Sequence, residues 1–502
     1  MNRALKRISL AILVMFLLLL INTNYLQAFQ ATSLASRPYN GRALSESNQY
    51  ERGNITTSDG VTIVGTKPSA TGDFYKYQRY YTNGQVYAPV TGYDTLYSAT
   101  GIEKSEDQLL SGNGQQLAVR NFIDMITNKP QKGATVQLTV NSKAQQAAYQ
   151  GLQSILQNTG HIGGVVALNP STGAILAMAS YPSYDPNLLA THNGNKLNAN
   201  DKQLLQQHPS PLINNATESL LPPGSTFKIV TSSAWFTQDS SRNESSQVNS
   251  PTVLTLPQTT SKLHNDNGEV CGNGSGTTTI LYAFAQSCDT TFGALGMVVG
   301  GSSLSSTATK FGMNTQNLNI SGVTSATSSY VVPPSLPLTA FSAIGQYSDT
   351  VTPLQEAMFA AAVANNGTLM KPYLVQQATA SDLSVVDSTQ PTTMSNPVSP
   401  TVAGYLQKMM TAVVQQPEGT GYQFNANNEG GLVIAGKTGT AQNQLNGVSS
   451  SPDAVFTSYA PANSTPKIAV GVMIQGGGYG ASAAAPIAVN VIKAYLASVG
   501  QG

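Results

Sequence analysis

A serine and a lysine three residues apart, Ser225 and Lys228, are the pair in this chain best suited to nucleophilic chemistry. Two prolines and a glycine precede Ser225, and a helix-like run at residues 227–236 follows it. At this spacing the two side chains lie on one face of a first helical turn, so the amine can reach the hydroxyl. The helix N-terminus also favours developing negative charge. The pair therefore predicts a nucleophilic serine that needs no histidine.

The spacing alone is a weak signal, because Ser464 and Lys467 match it too. Pro466 lies inside that second match, between two strand candidates, so we interpret the match as chance. Two later segments support the first pair. They are Ser287-Cys288-Asp289, inside a helix-like stretch at residues 281–297, and Lys437-Thr438-Gly439-Thr440, directly after the apolar residues 432–435.

Other kinds of site find no support in the sequence. The chain has no Gly-x-Ser-x-Gly elbow and no His-Glu-x-x-His pair, so neither an esterase nor a zinc protease is predicted, and no metal or cofactor is expected. We interpret the histidines as loop or surface residues: His161, His192, His208 and His264. With 10% charged residues and a net charge of +1, nucleic acid is not an expected partner.

The elements that must position these residues indicate an α+β fold. A predicted hairpin at residues 165–178 and strand candidates at residues 432–435, 455–460 and 468–474 flank a long middle region of helix-like runs. Antiparallel strands at both ends of that region predict one sheet with a helical, loop-rich insertion. The N-terminal part up to residue 141 is β-prone and has no recognisable catalytic constellation.

The N-terminus has the pattern of an export signal. Three basic residues precede an apolar run at residues 8–21: Arg3, Lys6 and Arg7. Its length fits a cleavable signal peptide as well as a membrane span, which needs about 20 residues. The segment can extend to residue 28, and the small-residue pairs formed by Ala31, Ser33 and Ala35 lie ten residues or more beyond the end of the apolar run at residue 21, which is far for cleavage and favours an uncleaved anchor. The basic flank then places residues 1–7 in the cytoplasm and the rest outside.

The chain has two cysteines, Cys271 and Cys288. A disulfide could persist in an exported protein. The alternative is a pair of buried thiols, and the sequence does not give the distance that decides between the two.

The order Ser225-x-x-Lys228, Ser287-x-Asp289 and Lys437-Thr438-Gly439 resembles the penicillin-recognising serine enzymes. Flanking segments narrow the resemblance to class B penicillin-binding proteins of the short actinobacterial type. They include Arg52-Gly53-Asn54-Ile55, Gly101-Ile102-Glu103, Tyr181-Pro182-Ser183-Tyr184, Ile344-Gly345-Gln346, Thr352-Pro353-Leu354-Gln355 and Gly419-Thr420-Gly421. The resemblance covers nearly the whole chain.

This resemblance implies a domain organisation. Residues 1–7 would be a cytoplasmic tail, residues 8–28 a transmembrane anchor, and residues 29–141 a β-rich pedestal or dimerisation-like domain. Residues 142–502 would be a transpeptidase domain of the serine β-lactamase type. Such a domain has a five-stranded antiparallel sheet flanked by helices, plus a helical subdomain.

The resemblance also implies catalytic roles. Ser225 would attack the penultimate D-Ala carbonyl of a peptidoglycan stem peptide ending in D-Ala-D-Ala, and Lys228 would accept its proton. Lys437 would help to keep Lys228 neutral, because a nearby like charge disfavours a charged amine. Ser287 would pass a proton toward the leaving amine. β-Lactams would acylate the same serine.

Substrate binding is implied for the strand that follows Lys437. The backbone of Thr438, Gly439 and Thr440 would pair with the substrate, and the two threonine hydroxyls would hold its carboxylate. Backbone N–H groups of Ser225 and Thr440 would form the oxyanion hole.

Asp289 departs from the family pattern, which has asparagine. An ionised carboxylate only accepts hydrogen bonds, and it would stabilise charged Lys228. One alternative is therefore a catalytically weakened scaffold of the wall-synthesis machinery. A β-lactamase is less well supported, because no Glu-x-x-Leu-Asn segment lies between Ser287 and Lys437. The resemblance further implies a polytopic glycan polymerase as the partner.

Overall fold

The computed structural model describes residues 2–30, 34, 49–117, 126–127, 132–442, 444–445, 448–449 and 451–500. The candidate cleavage positions Ala31, Ser33 and Ala35 lie outside these residues. The strands in chain order are β1 Ile55–Thr56, β2 Thr62–Pro68, β3 Tyr77–Tyr81, β4 Thr135–Leu138, β5 Gly163–Leu168, β6 Ile175–Tyr181, β7 Gln247–Asn249, β8 Val253–Thr255, β9 Lys262–His264, β10 Thr277–Thr279, β11 Leu369–Met370, β12 Val375–Thr379, β13 Val385–Ser388, β14 Thr393–Ser395, β15 Ala435–Ala441, β16 Gln444–Leu445, β17 Val448–Ser449, β18 Asp453–Ala460 and β19 Ile468–Ile474.

The α-helices precede these strands or lie between and after them, several of them in succession. In chain order they are α1 Asn2–Tyr25, α2 Gly84–Thr91, α3 Gly101–Ser105, α4 Asp107–Leu110, α5 Ser142–Leu156, α6 Gly194–Leu205, α7 Lys228–Gln238, α8 Ile280–Ala285, α9 Asp289–Val299, α10 Gly301–Lys310, α11 Leu336–Ser342, α12 Pro353–Ala364, α13 Pro400–Gln415 and α14 Gly480–Ser498.

Helix α1 continues into a π-helical turn, and together they form an apolar segment, Leu5–Gln30, long enough to cross a membrane. None of its most apolar window is buried against the rest of the described chain. Helix α14 is also long and apolar, but 56% of its window is buried, as expected for a core helix. The exposed apolar surface of α1 is therefore consistent with a membrane anchor.

The N-terminal region is built on a six-stranded sheet in the order β13-β12-β4-β1-β2-β3. Strands β12 and β13, at one side of this sheet, come from residues far along the chain, so the sheet joins the two regions that the sequence pattern separates. Buried Glu103 beneath it accepts hydrogen bonds from Arg52 at 2.9 Å and from Arg79 at 2.7 Å. Breaking a buried ion pair leaves an uncompensated charge. Both arginines, Arg52 before β1 and Arg79 on β3, therefore compensate the charge of Glu103.

A five-stranded antiparallel sheet in the order β15-β18-β19-β5-β6 forms the core of the second region. Every residue of β5, β18 and β19 is buried. Since alternate residues of a strand point to opposite faces, helices must cover both faces. Helices α5 and α14 pack on each other and on the sheet, and α12 packs on β19 and β5. The predicted α+β fold with a five-stranded antiparallel sheet is confirmed.

Two predicted boundaries were wrong. The strand expected from residue 432 begins at Ala435 and runs through Lys437 to Ala441, so the Lys-Thr-Gly segment lies inside the strand. The sequence also predicts a last helix from about Pro486 to Val499, but this helix begins at Gly480 and contains Pro486 in its interior.

Candidate active site

The nucleophile candidate lies in a tight turn. Residues Gly224–Phe227 form a 3₁₀ turn that leads directly into α7. In 3₁₀ geometry, side chains three residues apart eclipse one another. Lys228 Nζ accordingly lies 2.9 Å from Ser225 Oγ. Ser225 is partly exposed and Lys228 is fully buried, so solvent and substrate can reach the hydroxyl while the protein surrounds the amine.

Ser287 lies in a break between two helices, and the prediction of a continuous helix at residues 281–297 was wrong. Helix α8 ends at Ala285 and α9 begins at Asp289. Ser287 has a φ of 63°, in the left-handed region that few non-glycine residues adopt. This conformation turns both its hydroxyl and its carbonyl toward Lys228 Nζ, at 3.1 and 2.6 Å. A helical Ser287 would not present both oxygens to one amine.

A disulfide holds this break. Cys288 is bonded to Cys271, with their Cα atoms 5.8 Å apart. The cross-link ties the start of α9 to a loop that also lines the site. Closing a loop of this size contributes about 3 kcal/mol in the chain-entropy model.

The third element supplies a second buried lysine. Lys437 Nζ donates to Ser287 Oγ at 2.8 Å and to the carbonyl of Thr438 at 2.9 Å. Burial lowers the pKa of Lys437 well below its ordinary value, and the neighbouring Lys228 lowers it further. Ser287 Oγ therefore connects the two lysines.

Asp289 forms an ion pair with Lys228, with Oδ1 2.6 Å from Nζ. Two influences on the lysine oppose each other here. Burial lowers the pKa of Lys228, whereas the charge of Asp289 and its hydrogen bond raise it. Burial is the larger influence, so the pKa of Lys228 lies below its ordinary value. The carboxylate of Asp289 therefore makes Lys228 hold its proton more tightly, but it does not cancel the lowering of the Lys228 pKa by burial.

Strand β15 is an edge strand, hydrogen-bonded to β18 on one side. An exposed strand edge can pair with an extended peptide. Thr438 and Thr440 line the cleft beside it, and Thr438 Oγ1 lies 2.6 Å from Thr420 Oγ1. A Cβ at Gly439 would lie 2.9 Å from the carbonyl oxygen of Pro223, so glycine permits the close approach of the strand to the Ser225 turn.

These groups border one cleft of about 680 Å³. It brings together Ser225, Ser287, Asp289, Thr438 and Thr440, with the buried lysines directly behind the wall. The second Ser-x-x-Lys match, ending at Lys467, lies in the loop between β18 and β19. Within the described ranges, no group of three or more His, Cys, Asp or Glu residues could hold a metal ion.

Gln346 and Thr420 line the cleft and contact predicted site residues, but they were not singled out from the sequence. Gln346 donates to the carbonyl of Thr440 at 3.1 Å and accepts from the N–H of Gln442 at 3.3 Å. Thr420 touches Thr438 as described above. The only signal for either was its place in a flanking segment, Ile344-Gly345-Gln346 or Gly419-Thr420-Gly421.

Comparisons with known proteins match both regions of the chain. The penicillin binding protein transpeptidase domain matches residues 163–493, and the penicillin binding protein A dimerisation domain matches residues 52–136. The peptidoglycan D,D-transpeptidase PbpA of Mycolicibacterium smegmatis is 39% identical over 505 residues, covering 99% of each chain. The protein of that name from Mycobacterium tuberculosis is 36% identical over 505 residues, again covering 99% of each.

Solved structures give the same picture. Penicillin-binding protein A from M. tuberculosis, as its penicillin G acyl-enzyme complex, has a TM-score of 0.81 and 36% identity, covering 89% of this chain and 100% of that one. Its imipenem acyl-enzyme complex has a TM-score of 0.80 and 34% identity, covering 90% and 100%. The similarity extends through the N-terminal sheet and the cleft alike.

Proposed function

This chain belongs to the penicillin-binding protein transpeptidase family, and from that premise we propose that it is a peptidoglycan D,D-transpeptidase with Ser225 as its nucleophile. One observation carries the proposal. Lys228 Nζ lies within hydrogen-bond distance of Ser225 Oγ and of Ser287 Oγ, which in turn accepts from Lys437. A base and a hydroxyl relay thus lie beside the hydroxyl that would react, and a second amine supports the relay.

In the acylation step, Ser225 Oγ attacks the penultimate D-Ala carbonyl carbon and its proton passes to neutral Lys228. Burial supports this role, because it lowers the pKa of Lys228 and so increases the neutral fraction. The backbone N–H groups of Ser225 and Thr440 would stabilise the oxyanion; losing one such donor typically costs about 10²–10³ in rate.

Collapse of the tetrahedral intermediate breaks the peptide bond to the terminal D-Ala. The proton held by Lys228 would pass through the Ser287 hydroxyl to the leaving amine, which departs as neutral D-Ala amine. Lys437 would steady the relay through its hydrogen bond to the same hydroxyl. Thr438 and Thr440 would hold the terminal carboxylate while Gly439 keeps the strand close to the nucleophile.

In the second half-reaction, the amine of another stem peptide would attack the acyl-enzyme carbonyl. Its proton would return by the same relay, and Ser225 would leave as the free hydroxyl. A β-lactam carbonyl would follow the first half-reaction only, because the ring-opened adduct stays attached and blocks the acceptor.

Exposure to a fluorescent penicillin tests the function. A stable adduct that forms with saturation kinetics supports the transpeptidase. Rapid turnover of the label would instead identify a β-lactamase, and the absence of any adduct would identify a scaffold. Release of D-Ala from a synthetic stem peptide ending in D-Ala-D-Ala, with formation of a cross-linked product, completes the test.

We also propose the cellular arrangement. The basic flank of Leu5–Gln30 supports a single-pass anchor with residues 1–7 in the cytoplasm and the catalytic cleft outside. Residues 29–141 would serve as a pedestal for residues 142–502 and would contact a polytopic glycan polymerase. Protection of only the extreme N-terminus from protease added outside spheroplasts tests the topology, and co-purification of such a polymerase tests the partner.

A further inference from the structure

Glu356 lies in the first turn of α12, behind the turn that carries Ser225, and its side chain is fully buried. Its Oε1 lies 2.7 Å from Thr226 Oγ1, and the same hydroxyl lies 2.8 Å from the carbonyl oxygen of Pro223. Thr226 directly follows Ser225. Glu356 Oε2 is buried and has no hydrogen-bond partner within the described part of the chain.

These contacts determine where a proton must lie. The Pro223 carbonyl can only accept, and the Thr226 hydroxyl has a single proton to donate. If Thr226 donates to Pro223, its oxygen can satisfy Glu356 only by accepting, so the carboxyl must donate. A protonated Glu356 therefore satisfies both contacts at once, whereas an ionised one competes with Pro223 for the Thr226 proton.

Glu356 also contacts the sheet that carries Lys437. Its backbone carbonyl accepts a hydrogen bond from Thr457 Oγ1 at 2.5 Å, and Thr457 is the ladder partner of Lys437. Gly471, the partner of Thr457 on β19, makes room, since a Cβ there would lie 2.7 Å from Glu356 Cβ. Glu356 thus contacts the turn of Ser225 through its side chain. Through its backbone it contacts β18, the strand that pairs with the strand of Lys437.

We propose that Glu356 is a positioning residue for acylation: in its protonated form it donates to Thr226 and holds the Ser225 turn against the strand that carries Lys437. This inference rests on the proposed role of Ser225 as nucleophile. Glu356 acts through Thr226 and does not touch the substrate.

The surroundings of Glu356 make this hydrogen bond sensitive to pH. The ionisable residues on the elements around it are Lys228 on α7, Lys437 on β15, Asp453 and Tyr459 on β18, and Tyr405 and Lys408 on α13. Within the described residues none of them pairs with its carboxyl, and β5 and β19 carry no ionisable side chain. Burial accordingly raises the pKa of Glu356 to about 8. Ionisation above that pH removes the donor.

The test compares acylation rate constants of the full-length protein in detergent from pH 6.5 to 9.5, with a fluorescent penicillin as the probe. Glu356→Gln keeps an uncharged donor, so at pH 7 its rate constant should lie within about threefold of wild type. Above pH 8 the wild-type carboxyl ionises and the amide does not, so the ratio of wild-type to Glu356→Gln rates should fall by about fivefold or more. The ratio cancels the titration of Lys228, which both proteins share.

Thr226 provides the second arm. Thr226→Val removes the hydroxyl and should lower the rate about tenfold at pH 7 and by less above pH 8, where wild type has already lost the hydrogen bond, whereas Thr226→Ser keeps the hydroxyl and should restore the rate. In the Thr226→Val background, Glu356→Gln should no longer change the pH profile. If Thr226→Val does not fold, the wild-type to Glu356→Gln ratio decides alone.

A ratio that stays flat from pH 6.5 to 9.5 would overturn the proposal, as would wild-type kinetics in folded Thr226→Val. Ser225→Ala, measured alongside, separates a failure of the Glu356 proposal from a failure of the proposed function. Labelling of Ser225→Ala would remove the nucleophile assignment itself, whereas a flat ratio with labelling confined to Ser225 would remove only the role of Glu356.

Discussion

Lys228 and Lys437 meet at one hydroxyl: their Nζ atoms lie 3.1 and 2.8 Å from Ser287 Oγ. Both amines are buried, and burial lowers the pKa of each. Like charges this close disfavour simultaneous protonation, so the site holds a neutral amine available as a base. Asp289 is the residue that works against this arrangement.

Replacing Lys437 with methionine should lower the acylation rate constant by about 100-fold or more, since Ser287 Oγ loses the hydrogen bond from Lys437 Nζ. Burial and Asp289 set the pKa of Lys228, so the rising limb of the pH profile should stay where it is in wild type. Stopped-flow acylation from pH 6 to 10 measures both effects. Lys467→Met, in the chance Ser-x-x-Lys match, should behave as wild type. A wild-type rate constant in Lys437→Met would contradict the role of Lys437 at Ser287.

Asp289→Asn should speed acylation at neutral pH. Removing the carboxylate lowers the pKa of Lys228 further, and a greater neutral fraction moves the rising limb to lower pH. A shift of one pKa unit would give up to about a tenfold gain at pH 7. The same penicillin assay measures it. An unchanged or slower rate in a variant with wild-type thermal stability would show that Asp289 does not restrain the base.

Gly345→Ala should slow acylation. Gly345 has a φ of 72°, and a Cβ there would lie 2.3 Å from the carbonyl oxygen of Gly224, next to Ser225. The turn must shift, and we expect about a tenfold loss of rate. Gly404→Ala is the control, because a Cβ there meets nothing within 4 Å inside α13. It should raise stability by up to about 1 kcal/mol with no change in rate.

Glu356 and Asp349 should each lower the stability of the protein as pH rises from about 4.5 to about 8. Burial raises the pKa of Glu356 from 4.5 to about 8, and that of buried Asp349 to about 8 as well. In this window the folded state holds protons that the unfolded chain has released. Each acid therefore costs about 1.4 kcal/mol of stability per pH unit, up to its folded pKa.

Glu356→Gln removes one of the two acids that take up a proton on folding. The melting temperature of the variant, compared with wild type at pH 5, 6, 7 and 8, should rise progressively relative to wild type. The difference should be smallest at pH 5. A constant difference across the series would mean that Glu356 does not take up a proton on folding.

The sequence predicted the part of the site that depends on local spacing. Ser225 and Lys228 lie one turn apart in any helix start, so their contact follows from the chain itself. The strand that carries Lys437 was predicted from the apolar residues 432–435. Only Ala435 belongs to the strand, and residues 432–434 precede it. Both predictions rest on interactions between near neighbours.

Features that depend on distant contacts were not predictable. The break at Ser287 lies in an apolar stretch with helical periodicity, and its positive φ goes with the Cys271–Cys288 bond, whose formation the sequence left open. Strands β12 and β13 join the N-terminal sheet across more than 200 residues of sequence. Glu356 looks like an ordinary acidic residue of a first helical turn, and only tertiary burial makes it unusual.

The nucleophile assignment is tested most directly by mass spectrometry of the protein after reaction with penicillin. Wild type should carry one penicilloyl group, on the peptide that contains Ser225. Ser225→Ala should carry none, and Ser464→Ala should be labelled like wild type. A penicilloyl group on Ser225→Ala, or one that maps to any other serine in wild type, would contradict the account.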